Sequence, residues 1–274
     1  MIPVFYGANR GIYKGLLLAT MSLAKYSNEE LNVYILTMDL TSDNPKFQDI
    51  SNEQIDLLTK VLQEKNPKSK AIKLDVTEMY KTYMMDGANH HTGYTPYTLL
   101  RLMIDMMPNL PDKAIYLDVD TMACSDIKEL FDQDVEGYDV GMVKDFMGRF
   151  WIHHNYCNAG MLLMNIKQIK EDGMFRKCRE LVYRKKMAFS DQTAINKYAK
   201  IKHLPFKFNE QRKIHKDTVV KHFCKGAHFY LPFWINVFNI KQWEFDKVHK
   251  KLKIHNFDDI FEEFEKLKTQ YDFI

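Results

Sequence analysis

Cysteine is scarce, and the four present, Cys124, Cys157, Cys178 and Cys224, show neither a C-x-x-C spacing nor a matching histidine pair. That excludes a zinc knuckle and a disulfide framework, and leaves free thiols in a reducing, cytoplasmic compartment as the expectation. Long apolar runs are missing too. The most apolar early stretch, Gly15 to Leu23, is far short of the ~20 residues that span a bilayer, and it follows an already structured Ile2-Pro3-Val4-Phe5-Tyr6 segment, so neither a signal peptide nor a membrane span is expected. Charge of one sign is equally thin. With 39 Lys and Arg against 36 Asp and Glu the net charge is +3, and the cations are scattered rather than gathered into a stripe with aromatics, which sets nucleic acid aside as a partner. No internal repeat, low-complexity tract or interdomain linker stands out.

What is present suits one folded unit. A chain of 274 residues with 46% hydrophobic and 27% charged side chains can bury a sizeable core. Apolar, β-branched and aromatic runs at Ile2 to Gly7, Val33 to Thr37, Ala71 to Leu74, Ala114 to Val119, Val140 to Val143 and Met161 to Asn165 predict strands, several buried on both faces. Helical patterns lie between them. Ser51 and Gln54 form a capping box ahead of Ile55, Leu58, Val61 and Leu62, and a second helix is expected from Tyr97 to Met107, stopping at Pro108. After Lys200 the pattern shifts to short aromatic and basic stretches such as His222 to Trp234. A final amphipathic helix follows, with Phe257, Ile260, Phe261, Phe264 and Leu267 on its apolar side and Asp258 and Asp259 at its start. Strands alternating with helices predict an α/β fold with a mostly parallel central sheet, ligands sitting at the carboxyl ends of the strands. The expected organisation is one catalytic unit over 1–240 with a small helical and aromatic extension over 241–274.

The most informative stretch is Ala114-Ile115-Tyr116-Leu117-Asp118-Val119-Asp120-Thr121, an apolar strand that runs into two carboxylates. Residues two apart in a strand share a face, so Asp118 and Asp120 can converge on one divalent cation. Such an ion, Mn²⁺ or Mg²⁺, neutralises a departing diphosphate. Two aspartates at a strand end also start turns or cap helices. The same letters, Asp-x-Asp-x-Thr, form the nucleophile loop of haloacid-dehalogenase-type phosphatases, where the loop usually follows the first strand. Here several strand and helix units precede it.

Further motifs follow in order. Tyr97-Thr98-Leu99-Leu100-Arg101-Leu102 is similar to a Tyr-x-x-x-Arg-Leu helix, Asn158-Ala159-Gly160 begins an apolar strand, and Ser190-Asp191-Gln192 opens a helix. Together with the opening strand and the paired aspartates, this set resembles glycosyltransferase family 8, which includes glycogenin and bacterial lipopolysaccharide galactosyl- and glucosyltransferases, over Ile2 to about Lys225. The resemblance implies a single nucleotide-binding domain of GT-A type, a metal that is usually Mn²⁺, a UDP-sugar donor and retention of the anomeric configuration. It implies that Asp118, Asp120 and His222 ligate the metal, and that Gly7, Ala8, Asn9, Arg101 and Val119 line the donor nucleotide. Asn158, Ala159, Asp191 and Gln192 would line the sugar, with Asp145 near the boundary between donor and acceptor. Gln192 and Asp191 would serve the chemistry, Gln192 lying beneath the anomeric carbon.

Each residue also has a plainer meaning. Asn158 suits a buried backbone group, Asp191 a helix cap, Arg101 a helix surface and His222 a packed imidazole. Two departures from the family pattern matter. Relatives often carry an acidic residue and an Asn after the first strand, where this chain has Ala8 and Arg10 around Asn9; and the late His-x-x-Gly-x-x-Lys-Pro-Trp pattern is broken at His222-Phe223-Cys224-Lys225-Gly226. Lys225 is the first choice for a cation on the diphosphate, Lys241 the second. The expected acceptor is a saccharide or a lipid-linked oligosaccharide of the cell surface, with glucose and galactose equally open as the donor sugar. The Lys247 to Lys253 stretch reads first as a solvated helix face, with weak peripheral contact with anionic lipid as the minor alternative. The rival readings are a phosphatase using Asp118 and Asp120, and a nucleotide-sugar-binding protein without turnover.

Overall fold

The computed structural model describes residues 1–91, 95–230 and 234–274. Its centre is a seven-stranded sheet in the order β3-β2-β1-β4-β7-β6-β8. The strands are β1 (Ile2–Gly7), β2 (Leu31–Thr37), β3 (Lys70–Asp75), β4 (Lys113–Leu117), β6 (Val140–Lys144), β7 (Cys157–Asn165) and β8 (Ile201–His203). Only β7 runs against the others. A short antiparallel pair, β5 (Thr121–Ala123) with β9 (Val220–His222), stands at the carboxyl end of β4. A hairpin, β10 (Gly226–Tyr230) with β11 (Trp234–Phe238), follows it, and residues 231–233 of the expected aromatic stretch lie outside the described residues.

Alternation along the strands explains why both faces are covered. In β1, Val4 and Tyr6 enter one apolar cluster and Phe5 the other; in β4, Ile115 and Leu117 enter the first, Ala114 and Tyr116 the second. Every residue of β1 is buried, as its unbroken apolar run requires. The first cluster is closed by the helices Tyr13–Tyr26, Asn52–Gln63 and Asp258–Gln270, the last contributing Ile260, Phe261, Phe264 and Leu267. The second is closed by Pro96–Met106, Met174–Arg184 and Ser190–Tyr198. The capping box forms in both directions, Gln54 N to Ser51 Oγ at 3.2 Å and Ser51 N to Gln54 Oε1 at 3.0 Å.

Two departures from the sequence reading position the site. The expected Tyr97 helix is a 3₁₀ helix, Pro96–Met106, and Met107 leaves it in an extended conformation because Pro108 follows. Strand β4 ends at Leu117 rather than Val119. Asp118 N still bonds to Gly160 O across to β7 at 2.8 Å, after which the chain turns, with Thr121 N and Oγ1 both donating to Asp118 O at 3.1 and 2.8 Å. The two aspartates therefore meet through a turn and not through the pleat of a strand.

Candidate active site

That turn carries the acidic pair to the carboxyl end of the sheet, where β9 supplies the third group. Thr121 pairs with His222 across the β5–β9 ladder, and this register aims the imidazole at Asp120, His222 Nε2 lying 3.1 Å from Asp120 Oδ1. Oxygen atoms of Asp118 and Asp120 and a ring nitrogen of His222 lie within 4.8 Å of one another. The other face of the imidazole is fixed by Asn209 Oδ1, 3.0 Å from Nδ1, which leaves Nε2 directed into the cluster. Gly160 is needed beneath the ring: a Cβ there would stand 2.1 Å from His222 Cε1.

The carboxylates are held by cations already in the protein. Arg101, only 3% exposed, gives Nη2 to Asp118 Oδ1 at 2.7 Å and Nε to Asp191 Oδ2 at 3.0 Å, bonds Ala159 O through Nη1, and stacks on the Tyr116 ring at 4.5 Å. It is a buried clamp between the two halves of the site and not a helix-surface cation. Lys241 Nζ reaches Asp120 Oδ2 at 2.5 Å, and its neighbour Gln242, fully buried, donates to Val119 O at 2.6 Å and so braces the turn from below. Lys225, by contrast, is exposed at the start of β10. Burial raises Asp118 above the usual carboxylate range in spite of Arg101. Burial also opposes ionisation of Asp120, but His222 and Lys241 outweigh it and hold that group well below the ordinary value.

The remaining residues form one hydrogen-bonded unit beside the cluster. A register shift between β6 and β7 falls directly after the Val143–Asn158 pair and leaves Ala159 without a β6 partner. Asn158 Nδ2 donates to Asp145 Oδ2 at 2.9 Å, and its Oδ1 accepts from Gly160 N at 2.9 Å and Asn209 Nδ2 at 3.0 Å. Gln192 Oε1 accepts from Ala159 N at 3.0 Å while its Nε2 donates to Asp145 Oδ2 at 3.3 Å. Asp191 does not cap its helix: the cap residue is Phe189, and the carboxylate goes to Arg101. Gly7 ends β1 with the Tyr97 carbonyl 3.1 Å from the position of a Cβ, Ala8 N donates to Leu36 O, and Asn9 is 6% exposed with Oδ1 lacking a partner among the described residues.

Thus Asp118, Asp120, His222, Arg101, Asp145, Asn158, Ala159, Asp191, Gln192 and Lys241 form one connected network. Asn209 and Gln242 belong to it and escaped the sequence reading, because a single amide side chain in a loop has no periodicity or motif to mark it. Four carboxylates face two fixed cations here, so a divalent ion would balance the excess negative charge. Two hard oxygen donors with one imidazole suit such an ion.

A profile of glycosyl transferase family 8 matches residues 3–229. The chain belongs to that family. Among curated relatives, glycosyltransferase GlyA of Streptococcus pneumoniae serotype 4 is 29% identical over 218 residues, covering 78% of this chain and 28% of its own length. Glycosyltransferase GlyF of the same organism is 25% identical over 184 residues, covering 65% of this chain and 41% of its own. The chain thus spans less than half the length of either relative. Among solved structures, the galactosyltransferase LgtC in complex with donor and acceptor sugar analogues superposes with a TM-score of 0.65 at 18% identity, over 97% of this chain and 96% of that one. The S. pneumoniae glycosyltransferase GlyE gives 0.63 at 18% identity, over 98% and 65%. The fold is therefore that of GT-A glycosyltransferases, and membership of family 8 displaces the phosphatase reading of Asp118. No helix among the described residues is long and apolar enough to cross a membrane.

Proposed function

We propose that this family 8 glycosyltransferase moves a hexose, glucose or galactose, from a UDP-sugar to a saccharide acceptor with retention of configuration, using Mn²⁺ or Mg²⁺ held by Asp118, Asp120 and His222. The observation that carries the reading is the convergence of these three groups in a charge network that still has an excess of negative charge. When bound, the ion would neutralise the leaving diphosphate. Lys241, already at Asp120, is better placed than the exposed Lys225 to add a cation there. Asn9 offers a buried carbonyl oxygen with no partner among the described residues, which the imide N–H of a uracil ring would satisfy. Asn158, Asp191 and the backbone at Ala159 would hold sugar hydroxyls. Asp145 would stand where the acceptor enters.

Gln192 is uncharged and tied at both ends of its amide, so it would support an oxocarbenium-like centre electrostatically without forming a covalent bond. Attack from the leaving-group face, with the departing phosphate taking the acceptor proton, gives retention. A donor-hydrolysis panel of UDP-glucose, UDP-galactose and their N-acetyl forms, with and without Mn²⁺, tests this. Metal-dependent UDP release from one donor is the expected result. Binding of a nucleotide sugar with no turnover under any condition would leave a binding protein instead.

The ligand set has its own test. Asp120→Ala and His222→Ala are each expected to weaken Mn²⁺-dependent UDP binding by about tenfold or more, read by calorimetric titration. Unchanged metal affinity in the histidine variant would remove it from the site.

A further inference from the structure

Beside Asp145 the chain makes a protrusion that the transfer chemistry does not use. The helix Gly148–Trp151 is one turn long and is anchored by Asp145, whose Oδ1 accepts from Met147 N at 2.9 Å and Gly148 N at 2.6 Å. Phe150, Trp151 and Ile152 are 66%, 65% and 50% exposed. Successive positions of a helical turn are roughly 100° apart, so three in a row sweep more than half of its circumference. With all three in solvent, the turn stands clear of the body, resting on Gly148, where an added Cβ would meet the Tyr156 ring at 2.4 Å. Single exposed apolar residues are ordinary, whereas a contiguous group of this size marks a surface of contact.

The charged groups lying on the aromatic rings of this knob are arginines, while the neighbouring carboxylates Asp145 and Glu210 accept from the backbone N–H groups of Met147, Gly148 and Arg212. The Arg149 guanidinium lies over Phe146, Phe150 and Phe206 at 5.0, 4.7 and 5.3 Å, and that of Arg212 over Phe146 at 4.5 Å. Segments 146–154 and 211–216 contain no Asp or Glu. Arg149 Nε is buried without a hydrogen-bond acceptor among the described residues. Aromatic rings thus cover one side of a partly exposed guanidinium that has no carboxylate partner among the described residues, which favours an anion arriving from outside.

We propose that this knob docks the enzyme on an anionic phospholipid bilayer, with Phe150, Trp151 and Ile152 entering the interface and Arg149 and Arg212 meeting headgroup phosphates. Tryptophan and phenylalanine settle at the boundary between headgroups and hydrocarbon, and basic residues beside them add the attraction to anionic lipid. The Lys247 to Lys253 stretch is a poorer choice, because Lys247 pairs with Glu244 and Lys250 with Asp246. Since Asp145 anchors the knob and also holds Asn158 and Gln192, docking would present the acceptor side of the site to the membrane. That last consequence rests on the transferase reading; membrane docking itself does not.

Flotation of the intact protein with vesicles of phosphatidylglycerol and phosphatidylcholine, against phosphatidylcholine alone, tests the proposal. Partition is expected on the anionic vesicles and to fall with ionic strength. Replacing Phe150, Trp151 and Ile152 together by alanine should cut it at least about tenfold, Arg149→Gln and Arg212→Gln about fivefold each, and Lys250→Gln with Lys251→Gln should leave it unchanged. UDP release in solution is measured on the same variants and should not change, so a failure of docking is distinguishable from a failure of the transferase reading. No partition on anionic vesicles, partition indifferent to the knob, or a dimer that the knob substitutions convert to monomer would overturn it, the last assigning the knob to a second copy of the chain.

Discussion

Replacing Arg101 by methionine is expected to lower stability by about 3–5 kcal/mol and to cut donor turnover on the order of 10²–10³-fold. The guanidinium is nearly inaccessible and pairs with two carboxylates, so its loss leaves the buried Asp191 and the partly exposed Asp118 without their partner. Burial by itself pushes the guanidinium toward losing its proton, and the Asp118, Tyr116 and Asp191 side chains more than reverse this, so it stays charged. Arg101→Lys should recover only part of the loss, since one ammonium cannot hold Asp118, Asp191 and the Ala159 carbonyl together. Urea unfolding and UDP release are the readouts. A methionine variant that unfolds at the wild-type midpoint would show that this clamp does not hold the two halves of the site.

The second large effect is expected from the smallest change. Gly160→Ala adds one methyl group where the His222 ring already lies, with Cβ contacts of 2.1, 2.8 and 2.9 Å to Cε1, Nδ1 and Nε2. The neighbour is a ring fixed on one side by Asn209 and on the other by Asp120, so it cannot yield without breaking one of those contacts. The expected cost is roughly 1–3 kcal/mol of stability from overpacking. Metal affinity should also fall by about 10–100-fold, because the imidazole is turned away from the cluster. Calorimetry with Mn²⁺ and a thermal melt separate the two effects. If metal affinity were unchanged while stability dropped, His222 would be a packing residue and the metal would rest on the aspartates alone.

These two variants also show what could be read from residues alone. Periodicity located the strands because burial on both faces leaves continuous apolar runs, as in β1 and β4, and the capping box at Ser51 formed as its spacing required. The paired aspartates were legible, but their geometry was misjudged: the strand stops at Leu117, since the peptide groups beyond it are taken by the turn to Thr121. The depth of Arg101 was not visible, because a helix position reads as exposed or buried only when the layer above it is known. The contact of Lys241 with Asp120 joins distant parts of the chain, which no local pattern encodes, and Asn209 and Gln242 likewise act through bonds to residues outside their own segments.

Those long separations bear on how the site comes into being. Asp120 is joined to Lys241 across 121 positions of chain, and Val119 to Gln242 across 123. While the polypeptide is emerging, the acidic turn and Arg101 exist before His222 and Lys241 do, and the closing contacts must wait for a large loop to be drawn shut. On the proposed reading, competence for catalysis is acquired late in maturation, and a nascent or partly refolded chain carries a finished sheet before it can hold a divalent ion.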